Sequence, residues 1–504
     1  MSPLVVLVVL ILGLLSLWGI SWMAARTNRG EERFAAGGRT KPFVATLSMV
    51  TAVMTGVTFV SVPGSVAGSS LSYLQMCLGF VVGYAVIAYV LLPRFHALKI
   101  LSLYEYLDCR FGRHSQMTGA CMFLLSKLLV NALRLYLICS VLQFVLYGPL
   151  GVPLWVNVGI MSLVVWLSTR RGGVRSVLWM DVVKTLIIFA CVTLCIIFAA
   201  SMAGLDFEGA VDAVANHRFA QVWFVEDASD WRFLPKQFVA GIFMVVATTG
   251  LDQDFMQRAL GGRNLHATQR SMMVAVVLQV VIIALLLVLG ILLYIYMESC
   301  GVVVTEGFPL CDGAGEVVAA KSDDVMAFVA MRGGMPMVVG VLFVVGLLFS
   351  SFSAIGSAMT AQSTSVVVDI LGGRNRGMEF MERWRKVALP VVAVATWGSV
   401  LLIDALCSDN VLNLTYDIAA YSYGPLLGLY TFGIFSRRQV CEKWLPCVVV
   451  VSPLLSYAIK LAAYRLWGFE FGFELLVLNA AITICGVWLT GIGKFKKSGY
   501  ICNQ

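Results

Sequence analysis

Uninterrupted apolar stretches of about 20 residues, each long enough to span ~30 Å of hydrocarbon, recur from one end of the chain to the other. A soluble fold has nowhere to put them. Of the 504 residues, 60% are hydrophobic and only 13% are charged, against roughly 45–50% and about 25% in soluble domains. Mean hydropathy is +0.88. Such a chain cannot cover a water-facing surface, which excludes a soluble enzyme, a nucleic-acid binder and a disordered protein. The fold class this predicts is an all-α, polytopic membrane protein.

Apolar runs and their breaks give about thirteen helical spans. They cover residues 4–23, 43–67, 73–97, 118–147, 152–167, 177–202, 238–259, 272–297, 335–371, 387–406, 411–435, 444–464 and 471–492. No basic residue precedes the first span and no small-residue cleavage site follows it, so it reads as a retained helix. The net charge of +8 sits in short loops rather than on one face. Basic residues follow the first, third and fifth spans, recur at Arg258, Arg263 and Arg270 and again around Arg374–Lys386, precede the last pair of spans and close the chain. The intervening loops are short or acidic, as at Asp206, Glu226 and Asp230. This alternation predicts an outside N-terminus and a cytoplasmic C-terminus. Most of the 13 cysteines lie in spans and no CxxC pair occurs, so metal and redox motifs are not expected. Cys300 and Cys311 share one loop; they pair if it faces an oxidising compartment and stay free otherwise.

Two spans are interrupted in composition. The second runs Thr51-Ala-Val-Met-Thr-Gly-Val-Thr and ends Val-Pro-Gly64; the seventh reaches Ala247-Thr-Thr-Gly250 and turns polar at Asp252-Gln-Asp. They lie five spans apart, so the second copy of a repeat would be inverted in the membrane. Paired Gly-interrupted spans in corresponding places point to the central site of a secondary transporter. Taken singly, each is as well explained by glycine and threonine easing helix packing.

Seven segments, in order along nearly the whole chain, resemble the sodium:solute symporter family. They are Arg33-Phe-Ala-Ala-Gly-Gly-Arg39, the second span to Val62-Pro-Gly64, Ser102-Leu-Tyr-Glu-Tyr-Leu-Asp-Cys-Arg-Phe-Gly112, Gly172-Gly-Val-Arg-Ser-Val-Leu-Trp-Met-Asp181, Asp252-Gln-Asp-Phe-Met-Gln-Arg258, Gly346 to Ser357 and on to Asp369, and Tyr423-Gly-Pro-Leu-Leu-Gly428. The resemblance implies a LeuT-like core of two inverted five-helix repeats, with one extra helix before it and two after. One domain over 1–504 would then comprise an extra helix and loop (1–42), the repeats (43–203 and 237–436) and a C-terminal pair (442–493).

A sodium ion, Na+, needs several oxygens, which a bilayer supplies from unwound carbonyls and hydroxyls more cheaply than from a lone carboxylate. Ser350, Ser353 and Ser357 share a helical face, with Ser351 and Ser363 near by. Without the family, their bonding back to carbonyls is the stronger explanation. The resemblance implies sodium ligands at the Thr51 and Met54 carbonyls, the Ser350 carbonyl and the Ser353 hydroxyl. Ala354 stands where many members carry a hydroxyl, so one ligand is missing unless water or the extra hydroxyl of Ser350 substitutes. Asp181, which in some members serves a second sodium together with hydroxyls at the positions of Gly356 and Ser357, has Lys184 one turn on, where the family usually has glutamine. An ammonium there would neutralise the acid, which predicts one coupling ion.

For the solute, Asn131 and Arg134 lie one turn apart near mid-membrane, Thr55 and Thr58 belong to the second span, and Thr248 and Thr249 to the seventh. Val245, Thr248 and Thr249 stand where a bacterial sodium–galactose member has an asparagine and a Tyr-Trp pair, so a stacking platform for a hexose is missing. Tyr416 and Asp417 mark a further polar patch, an expected outer gate, although Asp417 serves equally well as a helix-pairing acid. The chain is expected to be no enzyme, and to import a small polar solute with sodium across a bacterial inner membrane as a monomer or weak homo-oligomer. Arg134 would read a carboxylate, as on a sialic acid-like, uronate or other organic acid; the rival is a structural ion pair with Asp417 or Asp181. The same residues also admit proton coupling, a neutral sugar or vitamin as the solute, and a non-transporting sensor on a transporter core.

Overall fold

The computed structural model describes residues 3–27, 49–50, 54–98, 102–260, 264–305, 307–406 and 411–491; for 3, 20–27, 171–180, 182, 257, 374–375 and 406 the description extends to the backbone alone. The chain is helical nearly throughout, as the spacing of its apolar runs predicts. In order come α1 (Pro3–Thr27), α2 (Gly56–Gly64), α3 (Tyr73–Leu98), α4 (Arg113–Tyr147) and α5 (Leu154–Met202). Then follow α6 (Leu234–Gly250), α7 (Gln253–Leu260), α8 (Leu265–Ser299), α9 (Met337–Ile370) and α10 (Met378–Leu406). The last three are α11 (Val411–Phe435), α12 (Leu445–Trp467) and α13 (Leu475–Thr490). Among the described residues, seven helices are long and apolar enough to cross a membrane, or eight if the bent pair α6–α7 forms one span. Shorter apolar helices lie at Leu4–Gly19, Leu154–Arg170 and Leu475–Thr490.

Two expectations change in detail. The fifth and sixth spans fall within one helical run, α5, because the basic segment between them carries helix rather than a turn. The all-α class admits one exception, a two-stranded hairpin of β1 (Leu310–Cys311) and β2 (Val317–Ala319). It belongs to the segment between α8 and α9, as does the helix Ser322–Met331. Cys300 and Cys311 in that segment are both free thiols.

The apolar surface sorts the helices. In α9, 78% of the most apolar window is buried, against 22% in α12. α9 packs on α5, α3 on α6 and α11 on α13, around one continuous core. α3 and α6 approach closely because each presents glycine: a Cβ on Gly79 would meet the Phe238 carbonyl at 2.2 Å, and one on Gly241 the Met76 carbonyl at 2.2 Å. Large apolar side chains instead face outward from α8 (Val277, Val281), α10 (Val391, Val394) and α12 (Val450, Leu454). A belt of this kind suits hydrocarbon rather than water.

Candidate functional site

Both interrupted spans are broken where their composition changes. Thr55 is extended (φ −96°, ψ 173°) before α2 begins at Gly56. α6 ends in a π-helical turn over Val246–Gly250, and α7 leaves at a 66° bend. A break of this kind frees backbone carbonyls in the membrane interior, which is tolerated only where they are buried in protein or line a cavity. Here they do line one.

The cavity, of about 130 Å³, is bounded by Thr55 and Thr58 from the first break and by Thr248, Thr249, Asp252 and Asp254 from the second. α4 contributes Lys127 and Arg134, and α11 contributes Tyr416 and Tyr423. Six of the seven solute candidates therefore share one cavity. The seventh, Asn131, is fully buried and does not line it. Its amide oxygen and nitrogen have no hydrogen-bond partner among the described residues. On the other side of Tyr416 lies a second cavity, of about 210 Å³, which Tyr416 also lines together with Tyr73. The Tyr73 and Tyr416 hydroxyls stand 2.5 Å apart. Tyr416 and Leu412 line both spaces.

Of the sodium candidates, Thr51 lies outside the described residues. Met54, Ser350 and Ser353 are all buried. The Ser350 and Ser351 hydroxyls have no hydrogen-bond partner among the described residues. They lie against the first break: a Cβ on Gly56 would stand 2.6 Å from the Ser351 oxygen and 3.9 Å from that of Ser350. Buried hydroxyls are almost always satisfied, so two orphans facing an unwound segment form an oxygen-rich spot that suits a small hard cation. The Ser353 hydroxyl donates to Asp181, which leaves its lone pairs free to accept. Ala354 contributes no oxygen.

Asp181 is fully buried and pairs with Lys184 at 3.6 Å, as expected. A closer partner is one that sequence reasoning does not find: Arg258 Nη1 lies 2.7 Å from Asp181 Oδ2. The charge alternation puts Arg258 in a cytoplasmic loop, whereas the structure buries it, 7% exposed. Arg258 also donates to Ser357 at 2.6 Å, and Ser357 donates to Asp254. Asp254 and Asp252 share Lys127, at 3.7 Å and 2.5 Å, and the Tyr423 hydroxyl donates to Asp252 at 3.3 Å. A continuous polar chain thus runs from the ion candidates to the solute cavity. Lys127 carries a usable sequence signal, since an ionisable residue in the middle of an apolar span is a functional candidate by default.

Among the described residues of this cluster, Lys127, Arg134, Lys184 and Arg258 face Asp181, Asp252 and Asp254, one cation in excess. The excess falls on Arg134. It makes no ion pair or hydrogen bond among the described residues, and neither Asp181 nor Asp417 is its partner.

Residues 34–442 match the model of the sodium:solute symporter family. The sodium/sialic acid symporter of Proteus mirabilis is 23% identical over 477 residues, covering 92% of this chain and 90% of that protein. The rabbit sodium-dependent multivitamin transporter is 26% identical over 404 residues, 77% of this chain but 59% of the transporter. A solved Na+-coupled sialic acid symporter in a substrate-bound outward-open state superposes with a TM-score of 0.79 at 19% identity, covering 96% of this chain and 97% of that one. Mhp1, a nucleobase-cation-symport-1 transporter in a closed conformation, gives 0.54 at 14% identity, covering 92% and 94%. The architecture is that of LeuT-like transporters.

Proposed function

The chain belongs to the sodium:solute symporter family, and from that premise we infer that it is a sodium-coupled secondary active symporter importing a small carboxylate-bearing organic solute by alternating access. The observation that carries the solute class is Arg134, a guanidinium opening into a cavity between two broken helices; Asp252 and Asp254 on the same wall attract it, but no carboxylate among the described residues lies within ion-pair distance. A charge near mid-membrane costs roughly 2.5–3.5 kcal/mol on insertion scales. A planar guanidinium suits bidentate capture of a carboxylate, and the bound anion would offset the excess charge. The threonines around it supply hydroxyls for the rest of a polar solute.

Sodium is taken up beside the first break, by the carbonyls of Thr51 and Met54 and by Ser350 and Ser353. The orphan hydroxyl of Ser351 stands in for the ligand that Ala354 lacks. Arg258 and Lys184 already neutralise Asp181, which favours one coupling ion over two. One ion is sufficient: a charge crossing ~100 mV gains ~2.3 kcal/mol, and a tenfold gradient adds ~1.4 kcal/mol. Together these sustain a few-hundred-fold accumulation of a neutral solute, and correspondingly less of an anion, which the same potential opposes.

Access alternates between two closures. Tyr73 and Tyr416 close the outer side, and the Lys127–Asp252–Tyr423 contacts close the inner side. In the bilayer the chain has about thirteen spans, the N-terminus outside, the C-terminus in the cytoplasm, and repeats at 43–203 and 237–436; it resides in a bacterial inner membrane. The test is uptake into proteoliposomes of a panel of organic acids, their amides and neutral sugars, with inward sodium or choline gradients. Sodium-dependent uptake confined to the acids supports the assignment; sodium-independent uptake, or uptake of neutral solutes alone, removes it.

A further inference from the structure

Away from the transport site, α5 and α10 enclose a groove that opens to the bilayer. Gly159, Leu163 and Trp166 line one wall and Pro390, Val394 and Trp397 the other, around about 340 Å³ of almost wholly apolar space. Val394 is 66% exposed and Leu163 52%, so the groove opens on the outward apolar surface, the one suited to lipid. At the end marked by Trp166 it meets a second pocket, of about 280 Å³, lined by Arg170, Glu382, Arg385 and Lys386. Trp166 belongs to both. The Arg170 guanidinium sits over the Trp166 ring, 5.6 Å from its centroid. Arg385 is only 9% exposed, sunk between the helices rather than reaching into water.

We propose that this composite pocket binds one anionic phospholipid of the cytoplasmic leaflet, an acyl chain in the groove and the phosphate at Arg170 and Lys386. Among the described residues that line it, Arg170, Arg385 and Lys386 outnumber Glu382, a positive balance that attracts an anionic headgroup and repels the ammonium of a zwitterionic one. Basic pockets between helices at the cytoplasmic side are recognised sites for anionic headgroups. From Pro390 to Trp397 the helix rises about 10 Å, most of the ~15 Å of hydrocarbon in one leaflet. The apolar groove, continuous with the charge, distinguishes a lipid from free phosphate. The proposal rests on the membrane orientation given above, but not on sodium coupling.

The test is native mass spectrometry of the full chain, purified in detergent and mixed with equal phosphatidylglycerol and phosphatidylcholine of the same acyl chains. Wild type should retain phosphatidylglycerol over phosphatidylcholine by roughly tenfold, and Arg170→Ala with Lys386→Ala should reduce that preference to about twofold or less. Gly159→Leu should lower retention of both lipids; a Cβ there has its nearest neighbour, Trp397 Nε1, at 3.6 Å, so the site admits a side chain. Equal retention of the two lipids by wild type, or an unchanged preference in the double variant, overturns the proposal. So does displacement by soluble glycerol phosphate together with full retention in Gly159→Leu, which would mark a phosphate site alone. No transport is read in this experiment, so its failure leaves sodium coupling untouched, and failure of sodium coupling leaves it intact.

Discussion

Arg258 and Asp181 stand 77 positions apart in sequence and meet at 2.7 Å. The same guanidinium reaches Ser357, which bonds Asp254 on the wall of the solute cavity. Asp181 in turn takes the hydroxyl of Ser353, a candidate sodium ligand. One side chain on α7 therefore touches both the ion side and the solute side of the molecule. Binding on either side changes the field on a shared, desolvated cation, and a low-dielectric interior transmits that change strongly.

Replacing Asp181 tests how that cluster is balanced. Asp181→Asn leaves Arg258 and Lys184 buried with one carboxylate fewer, a class of change that costs about 3–5 kcal/mol. Adding Lys184→Met should restore part of the lost thermal stability. The sodium Hill coefficient should stay near one in wild type and variants alike. A wild-type value near two that collapses in Asp181→Asn would overturn the single-ion stoichiometry.

The serines of α9 separate structural from ion-binding roles. Ser350→Ala and Ser351→Ala remove hydroxyls with no partner among the described residues, so stability without sodium should hold or rise slightly. Sodium affinity should fall in Ser351→Ala and hold in Ser350→Ala, whose carbonyl ligand remains. Ser353→Ala also removes a hydrogen bond to Asp181 and should weaken sodium roughly tenfold, about 1–2 kcal/mol. Thermal shift against sodium concentration reads both effects. Unchanged sodium dependence in all three variants would put the ion elsewhere.

The helix breaks were legible because glycine, threonine and Pro63 interrupt otherwise uniform apolar runs, and six of the seven solute candidates fell on one cavity as a result. The ionic cluster was not. Hydropathy assigns charges near span ends to loops, so Asp252, Asp254 and Arg258 read as the edge of the seventh span, yet the 66° bend folds that edge inward. Lys127 was visible within an apolar span, but its partner lies 125 positions away, with no periodicity linking them. Asn131 lies beside the cavity rather than on its wall, since sharing a helix turn with Arg134 does not fix which side chains reach the opening.

In the proposed orientation, the Tyr73–Tyr416 hydroxyl pair, 2.5 Å apart, helps close the outer side. Tyr73→Phe keeps the ring packing and removes the bond to Tyr416, worth about 0.5–1.5 kcal/mol. The cavity should then open outward more often. A cysteine placed by Thr415→Cys, on the cavity wall, should react faster with a membrane-impermeant thiol reagent in the Tyr73→Phe background, while sodium affinity stays within about twofold of wild type. Equal labelling rates would show that these tyrosines do not gate.

Arg134→Lys is the decisive substitution for the solute. It keeps the charge of the cluster and removes the planar fork, so a structural role is preserved while bidentate recognition is lost. Because Arg134 has no ion pair to break among the described residues, thermal stability without solute should stay near wild type. Carboxylate solutes should lose tenfold or more in affinity, roughly 1.4 kcal/mol or above, while the stabilisation given by sodium alone survives. Amides of the same acids, poorly taken by wild type, should be affected far less. A lysine variant that transports acids as well as wild type, or a protein that carries only neutral solutes, would remove Arg134 from carboxylate recognition and leave its excess charge to be balanced by another anion.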